Sequence, residues 1–203
     1  MRTLIVSIVL AYSPVSAQAA PGASFADLLG GARTQILASQ SEMGQARRQN
    51  LASSLGQVAL DLVNSMTEAQ RLRCGIAELR VQTRQGHGLG FRLAILHRTH
   101  ELKALSGRLH NRMELVTRFA RAWDGTSPLL ASAAEGLFVA ARHLLGQATP
   151  LSEEVLGLAA DLESFGFRNE ANEFADQASA LERDSRELDL QSQRIRERAG
   201  TPV

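Results

Sequence analysis

From Leu51 onward, apolar side chains recur at Leu55, Val58, Leu62, Ala69, Leu72, Ile76 and Leu79, with Ser65 the one polar residue in an inward slot. A spacing of three and four keeps these positions on one face of a helix, whereas a strand would alternate. The series holds for about four heptads, which is the pattern of a helix that packs along its length against another. A second series follows at Ile95, Leu102, Leu105, Leu109, Val116, Phe119 and Trp123, interrupted at inward positions by Arg98 and Arg112. Between the two lies RQGHGLG, residues 84–90. Glycines of this density mark a turn, so the two series predict a long antiparallel helical hairpin that turns near residues 85–90. No proline falls between Gly22 and Ser127, as uninterrupted helices require.

After the break DGTSP at 124–128, Leu130, Ala133, Leu137, Ala141 and Leu144 form one face of a shorter helix over residues 129–146. Thr149-Pro150 reads as the start of a further helix through Val155, Leu158, Leu162 and Phe165, with Gly166 ending or kinking it. The last series is Phe167, Ala171, Phe174, Ala178, Leu181, Leu188 and Ile195. Ser185 and Ser192 take its remaining inward slots, which predicts packing that weakens towards a frayed tail, AGTPV. The expected fold is all-α: an elongated, coiled-coil-like helical bundle built on the hairpin, with the shorter C-terminal helices packed against it. A helix of about 40 residues is roughly 60 Å long, more than the shorter helices can cover. The expected organisation is a leader over 1–19, N-terminal helices including the hairpin over 20–123, and C-terminal helices over 124–203 that pack on it as one domain.

The first residues change the picture of where the protein acts. MRTLIVSIVLAYSPVSAQAAPGAS has one early cation, an apolar run of about ten residues that is too short to span a bilayer, a proline, and an A-x-A site at Ala17-Gln18-Ala19. This is the arrangement of a secretory signal peptide. Cleavage after Ala19 is expected to leave Ala20 as the first residue, with Gln18 the alternative. No later segment reads as long and apolar enough to span a membrane. The expected location is periplasmic or secreted. A single cysteine, Cys74, allows no internal disulfide, so packing must hold the fold.

Charge divides the chain. Residues 20–122 carry 14 basic and 7 acidic side chains, and residues 123–203 carry 7 basic and 14 acidic ones. The opposed excesses of +7 and −7 suit C-terminal helices docked on the hairpin, or contacts with another chain. The stretch from Arg71 to Arg121 has eleven basic and three acidic residues, but it lacks interleaved aromatics and any nucleic-acid reading motif. Nucleic acid is therefore not an expected partner.

One stretch carries possible metal chemistry. HRTHELKALSGRLH, residues 97–110, nearly spells the H-E-x-x-H helix of zinc hydrolases. The second histidine position is Ala104, and the inverted H-x-x-E-H order also fails, so no zinc-hydrolase site follows. His97, His100 and Glu101 still share about one helical face and form a weak candidate metal site, to which His87 or His110 of another chain could add. The glycines of residues 86–90 lack the preceding strand that a nucleotide-binding loop needs. Met66-Thr67-Glu68-Ala69-Gln70 is similar over five residues to the L-T-x-x-Q signature of small periplasmic helical chaperones, with methionine in the leucine position and no second copy. Thr67 and Gln70 would form a capping box if the first helix broke near Asn64-Ser65, but an uninterrupted helix is the favoured reading.

No catalytic residue set and no cofactor site is expected. The function expected is that of an exported, non-enzymatic helical protein that acts through protein–protein contacts or self-association: a periplasmic scaffold, a chaperone, or a component of a secretion or surface machine. A periplasmic metal-binding or envelope-stress-sensing protein is the first alternative, and a secreted effector the second.

Overall fold

The computed structural model describes the backbone of residues 25–85, 90–123 and 127–200; the side chains of 25–33, 35, 36 and 122 lie outside the description. The expected leader, most of the glycine turn with His87, the centre of the 124–128 break and the last three residues therefore fall outside it. Four helices make up the described fold: α1 Phe25–Gln85, α2 Phe91–Ala122, α3 Pro128–Ser164 and α4 Arg168–Gly200. Among the described residues there is no strand, and the chain is an all-α helical bundle.

The chain divides into two compact units, Met1–Gly44 and Gln45–Val203. The described part of the first is the opening stretch of α1, where Leu37 and Met43 are exposed. The second holds the core. Its α1 contribution is the one the heptads specify: Leu55, Val58, Leu62, Ala69, Leu72, Ile76 and Leu79 are buried, and so is Ser65. Ser65 lies inward without an orphaned hydroxyl, because its Oγ donates to the Asp61 carbonyl at 2.9 Å. α1 runs unbroken through Met66–Gln70, so no capping box forms there. From α2, Ile95, Leu102, Leu105, Leu109 and Val116 enter the same core, which Phe119 and Trp123 edge.

α3 differs from the sequence expectation. The two expected helices are one helix, with Pro150 in its interior. Proline removes the N–H that would reach the Gly146 carbonyl, and its ring crowds that same turn. Beside it, Thr149 donates its hydroxyl to the Leu145 carbonyl at 3.1 Å, which leaves the Gly146 carbonyl as the proline left it. Burial offsets the defect: Leu144, Ala148, Leu151 and Val155 straddle the proline and all face the core. By length and composition alone, α3 is also apolar enough to cross a membrane. In this fold it buries an apolar face in the bundle instead.

α3 ends where a glycine lets it. Gly166 has φ +86°. Its N–H reaches the Glu163 carbonyl at 3.0 Å, and the Phe167 N–H reaches the Leu162 carbonyl at 3.0 Å, which is a Schellman closure. Phe165, placed on the inward series by its spacing, sits at this cap and is 47% exposed instead. Phe167 packs edge-on to Phe91, with ring centroids 5.6 Å apart. α4 then runs through Gly200, and Ala199 is buried, so the expected fraying at AGTPV does not reach residues 199 and 200. Ser185 and Ser192 are fully buried between Leu181, Leu188 and Ile195, so the polar slots are enclosed rather than loosened.

Candidate functional site

The pairing of the helices shows in their ion pairs. Arg112 Nη2 lies 2.6 Å from Asp61 Oδ2, and Arg108 pairs with Glu68, so residue numbers fall on α1 as they rise on α2. Arg142 lies 3.7 Å from Asp189 and Arg196 3.6 Å from Glu135, giving the same opposed sense for α3 and α4. Arg80 and Arg84 of α1 reach Glu154 and Asp161 of α3, and Lys103 of α2 reaches Glu173 of α4. Basic residues of the first two helices thus meet acidic residues of the last two.

The α1–α3 contact is the most constructed of these sites. Glu154, Gly157 and Asp161 lie at i, i+3 and i+7, one face of α3. Arg80 crosses that face. It donates from Nη1 to Glu154 at 2.7 Å and from Nε to Asp161 at 3.2 Å. Its guanidinium lies where a side chain at 157 would begin: a Cβ there would sit 2.5 Å from Cζ. Arg84, one turn on, brackets both oxygens of Asp161 at 3.1 Å. Burial alone would raise the Asp161 pKa, but the bonds from Arg84 and Arg80 outweigh it and hold the carboxyl below its usual range. The hydrogen bond to Glu154 raises the Arg80 pKa against the opposing effect of burial.

The same device recurs between α1 and α2. A Cβ at Gly75 would sit 2.3 Å from the Arg98 Cζ. Arg98, an interruption in the sequence pattern, therefore lies in a slot on α1, and its Nη1 donates to Glu101 at 2.7 Å. Arg112, the other interruption, is the partner of Asp61. Beside them an open polar groove of about 460 Å³ is lined by Asn64, Thr67, Glu68, Arg71, Arg98 and Glu101.

Of the candidate metal residues, Glu101 lines this groove from α2. His97 Nε2 is 3.5 Å from one Glu101 oxygen, while Arg98 takes the other. His100 is exposed. Among the described residues, no group of three or more His, Cys, Asp and Glu side chains is gathered for a metal ion.

Sequence reasoning missed a third cluster. Asp184 of α4 is only 2% exposed. His110 Nδ1 lies 3.0 Å from its Oδ2, and Arg183 Nε donates to Oδ1 at 3.1 Å. Gln191 and the two serines extend this polar layer, and among the described residues the Ser185 hydroxyl has no partner. Near the ends of α2 and α4, Arg198 donates to the Ala120 carbonyl and so caps α2. The available signal for Asp184 was its place beside Ser185 in an inward turn of α4. The signal for the arginine slots was a glycine on an interface face.

On the outward side of α1 lie Leu60 and Val81, 61% and 52% exposed, with Val63 beside them. Cys74 is on the same side, exposed, as a free thiol. α2 adds exposed Leu93 and Leu96. The arrangement offers ion-pair clamps inside the bundle and apolar side chains outside it. Comparison of the chain with protein-family models, with curated proteins and with solved structures finds no match.

Proposed function

We propose that this is an exported, non-enzymatic helical protein that works by protein–protein contact, as an extracytoplasmic scaffold, chaperone or component of a secretion or surface machine. The observation that carries the reading is the placement of Leu60, Val63, Val81, Leu93 and Leu96. They are exposed on helices whose inward faces are already filled. Exposed apolar side chains on helices whose cores are already filled are what contact surfaces are made of. The N-terminal pattern of charge, apolar run and A-x-A site supports export.

The test is made in the native envelope. A photo-crosslinking residue at Val81 or Leu96 should give discrete protein adducts, and one at Arg142 on α3 should give fewer. The protein recovered from that fraction should have its first residue at Ala20 or Gln18 by mass. Intact Met1 on exported protein would refute the leader. Absence of adducts from the α1 and α2 positions would refute the contact role.

A further inference from the structure

We infer that the outward face of α1 is a self-pairing surface, occupied by α1 of a second copy running in the opposite direction. This rests on the contact role proposed above and names the partner. The core of α1 repeats every seven residues, so its outermost line does too. That line is Leu60, Thr67, Cys74 and Val81, all exposed, of which Thr67, Cys74 and Val81 fall within the stretch that a second, antiparallel α1 can cover. Cys74 is two positions from each of the buried residues Leu72 and Ile76, about 160° around the helix from both. It therefore points directly away from the core.

Charge selects the occupant and its direction. Arg71 and Glu78 sit along one edge of the line, both exposed, and neither takes part in an ion pair among the described residues. They lie three residues before and four residues after Cys74. Place a two-fold axis midway between them, across α1. Each Arg71 then stands level with the Glu78 of the other copy, and the contact is made twice by symmetry. A parallel, in-register pairing would instead set the two edges on opposite flanks of the contact, where neither Arg71 nor Glu78 could reach the other copy's edge. The midpoint falls half a residue beyond Cys74, so the two thiols come within about 1.5 Å of the same height along the axis. At helix separations of 8–10 Å, facing Cα atoms are about 3.5–5.5 Å apart, which overlaps the range a disulfide spans.

The experiment uses the full mature protein under reducing conditions, with sedimentation velocity over a concentration series. It should be dimeric, and it should remain so as Cys74→Ser. With diamide as oxidant, the unmodified protein should form a covalent dimer that Cys74→Ser cannot form. In the Cys74→Ser background, Arg71→Cys together with Glu78→Cys should close interchain disulfides, while Arg71→Cys alone should not. Arg71→Glu should weaken the dimer roughly tenfold because two exposed pairs are lost at once, and Arg71→Glu with Glu78→Arg should restore it. Val81→Asp, at a half-exposed site, should give monomer with unchanged circular dichroism. A monomer at every concentration, or crosslinking by Arg71→Cys alone, overturns the inference. The photo-crosslinker at Val81 separates the two failures. Adducts with other proteins only would remove self-pairing and leave the contact role, and no adduct would remove both.

Discussion

Gly157→Ala places a methyl group where the Arg80 guanidinium lies. The new Cβ would be 2.5 Å from Cζ and 2.7 Å from each terminal nitrogen, contacts that no pair of atoms sustains. Arg80 must move, and the carboxylates that hold it, Glu154 and Asp161, flank the methyl on the same face of α3. Clearing the methyl is expected to lengthen or break at least one of these two bonds. Two opposed effects set the sign. Alanine is the better helix former by roughly 1 kcal/mol. Charge-assisted bonds between partly buried partners are worth about 1.5–3 kcal/mol, discounted here because Arg80 and Glu154 retain solvent access and Arg84 still serves Asp161. The net expectation is a loss of roughly 0.5–1.5 kcal/mol, or about 1–6 °C in melting temperature for a chain of this size. The diagnostic is a change of sign. In the Arg80→Ala background the slot is empty, and Gly157→Ala should then stabilise by about 0.5–1 kcal/mol. Gly107→Ala is the internal control, because a Cβ there meets nothing within 4 Å and should stabilise in either background. Urea unfolding followed at 222 nm measures all five variants. If Gly157→Ala is equally stabilising with and without Arg80, the guanidinium does not occupy the slot and the reasoning fails.

Leu62→Asp puts a carboxylate at a fully buried position and should cost more than about 3 kcal/mol, lowering the denaturation midpoint steeply; an unchanged midpoint would mean that this face of α1 points to solvent. Asp184→Ala removes the acceptor of both His110 and Arg183 and leaves a void beside Ser185, so a loss of about 1–3 kcal/mol is expected. Asp161 titrates lower in the folded chain than in the unfolded one, so the unfolded state binds more protons near pH 4. Its contribution is therefore present above the ordinary carboxylate range and is lost as pH falls through its folded value. Asp161→Asn should flatten the acid limb of a melting-temperature profile, and an identical limb would discount the site. His97, His100 and Glu101 should bind zinc weakly in calorimetry, since only His97 and Glu101 lie within ion-pair distance of one another; tight binding that His97→Ala abolishes would promote the metal reading.

The heptads from Leu51 to Leu79 and from Ile95 to Val116 were legible because a buried helix face needs only apolar residues at the helical period. Each of those side chains contributes by leaving water, whatever it meets. The regular series of α4 was readable for the same reason. Pro150 was misread because local propensity governs a segment only until burial on both sides outweighs one missing hydrogen bond, as Leu144 to Val155 do here. Arg98 and Arg112 read as defects, since a one-dimensional pattern records that a position is not apolar but not which carboxylate or glycine stands opposite. That identity lies on another helix, tens of residues away: Gly75 for Arg98, Asp61 for Arg112, Gly157 with Glu154 and Asp161 for Arg80. The sequence alone determined the inward faces of α1, α2 and α4 and the charge each half carries. Tertiary structure alone decided which charges meet inside the bundle and which side chains, Leu60, Cys74 and Val81 among them, are left facing out. Hydrophobic burial has a period but no direction, whereas an ion pair or a close approach over glycine needs two atoms at one place.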